Sequence, residues 1–189
     1  NRLQANVDLK AKTYNLGFIT AMLDPSLMRE IRIPSGIGIQ GNVKMDGTRY
    51  ATRLALTEGK GSMKVEAKID AKTDRKGNVD MNALAYQAKI QARHIQAKHF
   101  LPRQDLYTFT GTVEAKGVGT DFLSPRTHLV AKAKVDQVHY GKYNLGNILA
   151  NAKVANGRIH ADVDSKNQLL KGLVSVDALA NTKKLQATL

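Results

Sequence analysis

"MKVEAKIDAK", residues 63–72, alternates apolar and charged residues without a break. Side chains on a strand point to opposite faces in turn. Met63, Val65, Ala67, Ile69 and Ala71 therefore share one face, and Lys64, Glu66, Lys68, Asp70 and Lys72 share the other. The central question is what covers the apolar half.

The same pattern recurs along the chain. "LQANVDLKA" alternates from Leu3 to Ala11, and "GNVKM" meets "RYATRLAL" through Asp46-Gly47, a strong hairpin pair. "GSMKVEAKID" follows across "EGKG". "ALAYQAKIQA" sets Leu84, Tyr86, Ala88, Ile90 and Ala92 against Gln87, Lys89, Gln91 and Arg93. "YTFTGTVEAKG" sets Phe109, Gly111, Val113 and Ala115 against threonines and Glu114, and "LVAKAKVDQV" groups Leu129, Ala131, Ala133 and Val135. "NILANAKV" and "RIHADVDS" flank Asn156-Gly157, the clearest hairpin, and "LLKGLVSVDAL" and "KKLQATL" close the chain. About a dozen strands at ~8–12-residue spacing predict a mostly β domain with antiparallel neighbours.

One stretch breaks the alternation. In "GFITAMLDPSLMREIRIP", residues 17–34, Asp24 can cap a helix with Pro25 at its first position. A short helix near residues 25–31 is predicted, capping the end of the sheet.

Composition narrows what can cover the apolar faces. The 189 residues include 22 Ala, four Phe, six Tyr and no Trp. Cores are normally filled by Leu, Ile and aromatics, so either the layers sit very close or something else occupies the space. The net charge of +13 fits an anionic partner or a well-solvated outer face; its spread along alternating strands favours the latter. There are no cysteines, which excludes disulfides and thiol chemistry. No run of about 18 apolar residues exists to span a bilayer as a helix. Residues 1–189 read as one β-rich segment of a longer protein, with a strand pattern at each end.

Chemical motifs are sparse. "GIGIQG", residues 36–41, matches G-x-G-x-x-G, but a strand-like stretch follows where a dinucleotide site needs a helix N-terminus. Its glycines fit bending or close strand packing. His94 and His99 are five apart on strand-like sequence and should face opposite sides. His160, Asp162 and Asp164 share a polar face but lack the elements of a calcium loop. No nucleophile elbow is present. In "LAYQAKIQAR" the aromatic lies on the apolar face and the bases on the other, against a nucleic-acid stacking surface; the absence of Trp weighs against carbohydrate. Catalysis, a cofactor, a metal and nucleic acid are not expected.

From about Gly36 to its end the chain loosely resembles the AsmA-like/TamB family of diderm bacteria. The resemblance rests on "RHIQAKHFLPRQD" (93–105), read as a strand ending in Phe100-Leu101-Pro102. It rests also on a Gly-x-Gly-x-Asp at Gly117, Gly119 and Asp121, and on Tyr-x-x-Leu-Gly-Asn-Ile at Tyr143 to Ile148 before the Asn-Gly hairpin. It implies an elongated, twisted antiparallel sheet curled into a U-shaped groove, the β-taco. It implies a periplasmic protein anchored in the inner membrane, carrying phospholipid towards the outer membrane, with an outer-membrane barrel partner elsewhere in the protein. In this reading acyl chains would lie against Met63, Val65, Ile69, Leu84, Tyr86, Ile90, Val113, Leu129, Val135, Ile148, Val154, Ile159 and Val163, with paired charges on the wet exterior. Two alternatives use the same strands: a scaffold that pairs outer-membrane β-strands to its edges, and a closed sandwich or solenoid used in adhesion.

Overall fold

In the computed structural model, residues 3–12, 35–74, 76–100, 105–121, 124–179 and 184–188 are described. They build twelve strands: β1 (Gln4–Lys12), β2 (Gly38–Asp46), β3 (Arg49–Glu58), β4 (Gly61–Asp70), β5 (Ala85–Gln96), β6 (Leu106–Val118), β7 (His128–Tyr140), β8 (Tyr143–Leu145), β9 (Ile148–Ala155), β10 (Arg158–Lys166), β11 (Lys171–Leu179) and β12 (Lys184–Thr188). One four-residue helix, α1 (Ala97–Phe100), follows β5. The expected helix near residues 25–31 lies outside the described residues.

All strands belong to one antiparallel sheet in chain order, with β8 paired to β7 beside β9. β1 and β12 are not paired with each other, so the sheet is open. Two-residue turns join β2 to β3, β3 to β4, β7 to β8 and β9 to β10, whereas residues 71–84 and 119–127 make longer connections from β4 to β5 and from β6 to β7. Gly47, Gly59 and Gly157 take positive φ in two-residue loops, and Asn156 joins Gly157 at φ 53° and 68°. Both signs match a type I′ turn, whose twist suits a hairpin.

The pairing carries three irregularities at one end of the sheet. β5 slips between Ala92 and Ile95 against β6, and β6 slips against β7 between Leu106 and Phe109 and between Thr110 and Gly111. An extra residue in one strand restores the facing of the next apolar side chain, so Ile95, Phe109 and Val138 pair across β5, β6 and β7. Ile37, Ala92, Ile95, Ala97 and Val138, at this same end, are among the few buried apolar residues of the described part. Glu58 ties α1 to the sheet there: it accepts the Gln96 amide at 3.1 Å and pairs with His99 Nδ1. At the opposite end Thr127 is buried beside Gly119 and donates to the Asp121 carbonyl at 2.6 Å.

Two sequence expectations are corrected here. His94 and His99 are not on opposite faces of one strand: His94 sits in the bulge at φ 51°, and His99 belongs to α1. Phe100 does not end a strand, because β5 stops at Gln96 and Phe100 closes the helix.

Candidate functional site: an apolar sheet face with an alanine floor

The strand register aligns the apolar side chains into rows that run across the sheet. From β4 to β10, omitting β8, one row reads Ala67, Ala88, Ala115, Ala131, Ala152, Ala161. On one side of it runs Val65, Ile90, Val113, Ala133, Ala150, Val163, and beyond that Met63, Ala92, Gly111, Val135, Ile148, Ser165. On the other side runs Ile69, Tyr86, Gly117, Leu129, Val154, Ile159. The first row is a floor of single methyl groups between taller neighbours. Rows on one face lie about 6.8 Å apart, and five strand steps of ~4.8 Å make the floor roughly 24 Å long.

Twelve of the thirteen residues assigned to the path from sequence fall in these rows. Leu84 immediately precedes β5 and is half-buried. The alanines of the floor were missed as a group, as were Leu54 and Leu56 of β3, which extend two rows beside Val65 and Met63. The pairing register places the alanines side by side, and the facing of the apolar side chains holds that register.

No second sheet covers this face among the described residues. Shelter is uneven along it. Val7, Val43, Tyr50 and Ile69 are exposed, whereas Leu54, Leu56, Met63 and Val65 of β3 and β4 and Ile90, Val113, Leu129, Val135, Ile148, Ile159 and Val163 of β5–β10 are half-buried, and Val154 is only 5% exposed. Burial also pushes the Tyr86 phenol above its ordinary value.

The opposite face carries a charge ladder. Arg53, Glu66, Lys89, Glu114 and Lys132 are successive cross-strand neighbours of alternating sign. Lys89 and Glu114 meet at 2.8 Å; their contact holds the ammonium above, and the carboxyl below, the usual range. Further along, His160 lies between Asp177 at 2.8 Å and Asp162 at 2.9 Å, and Ser175 donates to Asp162 at 2.7 Å. The Asp177 bond first, then Asp162, raises the His160 pKa, while Ser175 and His160 lower that of Asp162. The expectation of fully paired charges fails at Lys44, Lys68 and Lys116, which form no ion pair among the described residues.

Two cavities lie beside charged-face residues of the N-terminal strands. One of about 610 Å³ spans β1–β5 beside Asn42, Arg53 and Glu66. Another of about 420 Å³ spans β2–β6 beside Lys44, Lys68 and Lys116. The N-terminal part of the sheet is thus hollowed beside its charged rows, and the second cavity also reaches Tyr50, Ile69, Tyr86 and Gly117. In "GIGIQG", Gly36 turns at φ 82° and Gly41 passes so close to β3 that a Cβ would meet the Arg53 carbonyl. Gly41 thus serves strand packing and Gly36 a turn. Among the described residues no group of His, Asp or Glu is placed to hold a metal, and no helix is long and apolar enough to cross a membrane.

No protein-family model, curated protein or solved structure matches the chain.

Proposed function

We propose that this chain is a segment of a lipid-conducting surface: acyl chains lie on the apolar face, along the alanine floor, and cross the strands. The supporting observation is that floor, about 24 Å of methyl groups between taller rows. It exceeds the ~15 Å that one acyl layer occupies in a bilayer. Each methylene removed from water contributes about 0.8 kcal/mol, so a lipid tail has ample reason to stay. A floor without polar or bulky side chains offers no fixed stopping point, which suits movement along it. The role is binding and transport without catalysis. The setting that goes with it is periplasmic, within an inner-membrane-anchored bridge to the outer membrane, as the resemblance to AsmA-like/TamB proteins implies.

The test is gentle purification, organic extraction and mass spectrometry of the extract. Phospholipid should co-purify, and Ile90→Glu or Ala115→Glu should remove most of it while the β-sheet signal is retained. Folded variants that carry as much lipid as the parent would overturn the reading.

A second reading has one observation in its favour. All nine residues of β1 are exposed, and among the described residues β2 is its one strand neighbour. An extended client strand could add there. Protection of β1 amides from hydrogen exchange by an added strand peptide, undiminished by lipid, would support this scaffold role.

A further inference from the structure

The cavity of about 420 Å³ on the charged face has a composition unlike the rest of that face. Lys44, Lys68 and Lys116 stand in one cross-strand row on β2, β4 and β6, with Ala51 and Gln87 between them. Alternate strands space these ammonium groups by roughly 9.6 Å. Next to this row, Ala85 and Val118 give the cavity a carbon floor, and the lysine stems add to it.

The acidic groups of the cavity already have partners. Asp70 takes Arg49 at 3.5 Å and the Thr48 hydroxyl at 2.8 Å. Asp46 takes the Gln4 amide at 3.2 Å. The three lysines are left without ion pairs among the described residues. The neighbouring cavity of about 610 Å³ shares Lys44, Ala51, Lys68 and Gln87 with it, but its remaining wall is more polar and partly engaged. There Asn42 donates to Asn6 at 2.8 Å and to Asp8 at 2.7 Å, and Lys89 is held by Glu114.

We propose that the β2–β6 cavity is a binding site for a small anionic amphiphile, a carboxylate, sulfate or phosphate carried on a short apolar body. The head group sits among Lys44, Lys68 and Lys116, and the apolar body covers Ala51, Ala85 and Val118. Exposed ion pairs contribute little singly, so binding requires head and body together. This site lies on the face opposite the alanine floor, and it stands or falls independently of the lipid path.

The faces can be read separately by methyl NMR. Ala51, Ala85 and Val118 report the charged face; Ala88 and Ala115 report the apolar one. Monomeric decyl phosphate should shift the first set saturably, with affinity falling as salt rises. Lys44→Gln/Lys68→Gln/Lys116→Gln should weaken this by about tenfold. Ala85→Gln, which fills the floor and leaves the charges, should weaken it as well and serves if the triple variant does not fold. Inorganic phosphate and decyltrimethylammonium should each bind far more weakly. Vesicles containing phosphatidylglycerol should leave Ala85 and Val118 unmoved, because a membrane offers heads without free tails. Shifts confined to Ala88 and Ala115, unchanged affinity in the variants, equal binding of the cationic amphiphile, or an equal response to vesicles would each overturn the proposal.

Discussion

The ring of Tyr86 lies over Gly117, its cross-strand partner on β6. A Cβ built on Gly117 would stand 2.8 Å from the ring carbon bearing the hydroxyl and 2.7 Å from the oxygen. The same Cβ would meet the His128 carbonyl of β7 at 2.6 Å. Glycine in a strand interior usually weakens it, but here it lets the ring lie flat along the row beside the alanine floor. Gly117→Ala should therefore destabilise the fold by about 1–3 kcal/mol. Thermal melting reads this as a loss of about 2–4 °C for each kcal/mol. An unchanged melting temperature would mean that Tyr86 is free to leave.

Gly41 makes a sharper case. A Cβ there would stand 2.0 Å from the Arg53 carbonyl oxygen, and backbone cannot swing aside as a side chain can. Gly41→Ala should cost more than Gly117→Ala in the same melting experiment. Gly36 has open space around it, so its substitution should cost through its φ of 82° alone. Nicotinamide or flavin nucleotides should not raise the melting temperature of the parent, because "GIGIQG" runs into a strand and not into a helix.

His160 gives a pH prediction. Asp177 and Asp162 raise its folded pKa above the ordinary 6.5. The stability it contributes is fully present below the unfolded value and is lost as pH rises through the raised folded one. Asp162 runs the other way: lowered from 3.8, it contributes above that value and loses the contribution as pH falls through the folded one. The cluster is thus fully favourable between about pH 3.8 and 6.5. The proton NMR titration of His160 should have its midpoint above 6.5, and Asp177→Asn should lower it. A parent midpoint at or below 6.5 would contradict the geometry.

Much of the sheet is legible in sequence, for reasons that can be named. β4 spans Gly61–Asp70, the stretch read as a strand from its unbroken alternation. The hairpins at Gly47, Gly59 and Asn156-Gly157 follow from residues that tolerate positive φ. β5 is different: its pattern stops at Ala92, yet the strand continues to Gln96 because the bulge at His94 resets the facing by one residue. The short β8 and α1 carry no periodicity long enough to read.

The site was legible one strand at a time. Alternation tells which face Ala115 is on, but only the register places it between Ala88 and Ala131. Twist leaves no period in the sequence, so the hollow beside β2–β6, with three lysines that form no ion pair among the described residues, came only with the structure.

The central claim is that lipid occupies the apolar face, and Ala131 and Lys132 on β7 test it most directly. They are successive residues on opposite faces, outside both cavities. A photo-crosslinking amino acid placed at each position in turn, activated in cells before purification, should give phospholipid adducts from position 131 and none from position 132. Equal adducts from both positions, or none from position 131 in a folded protein, would contradict the account.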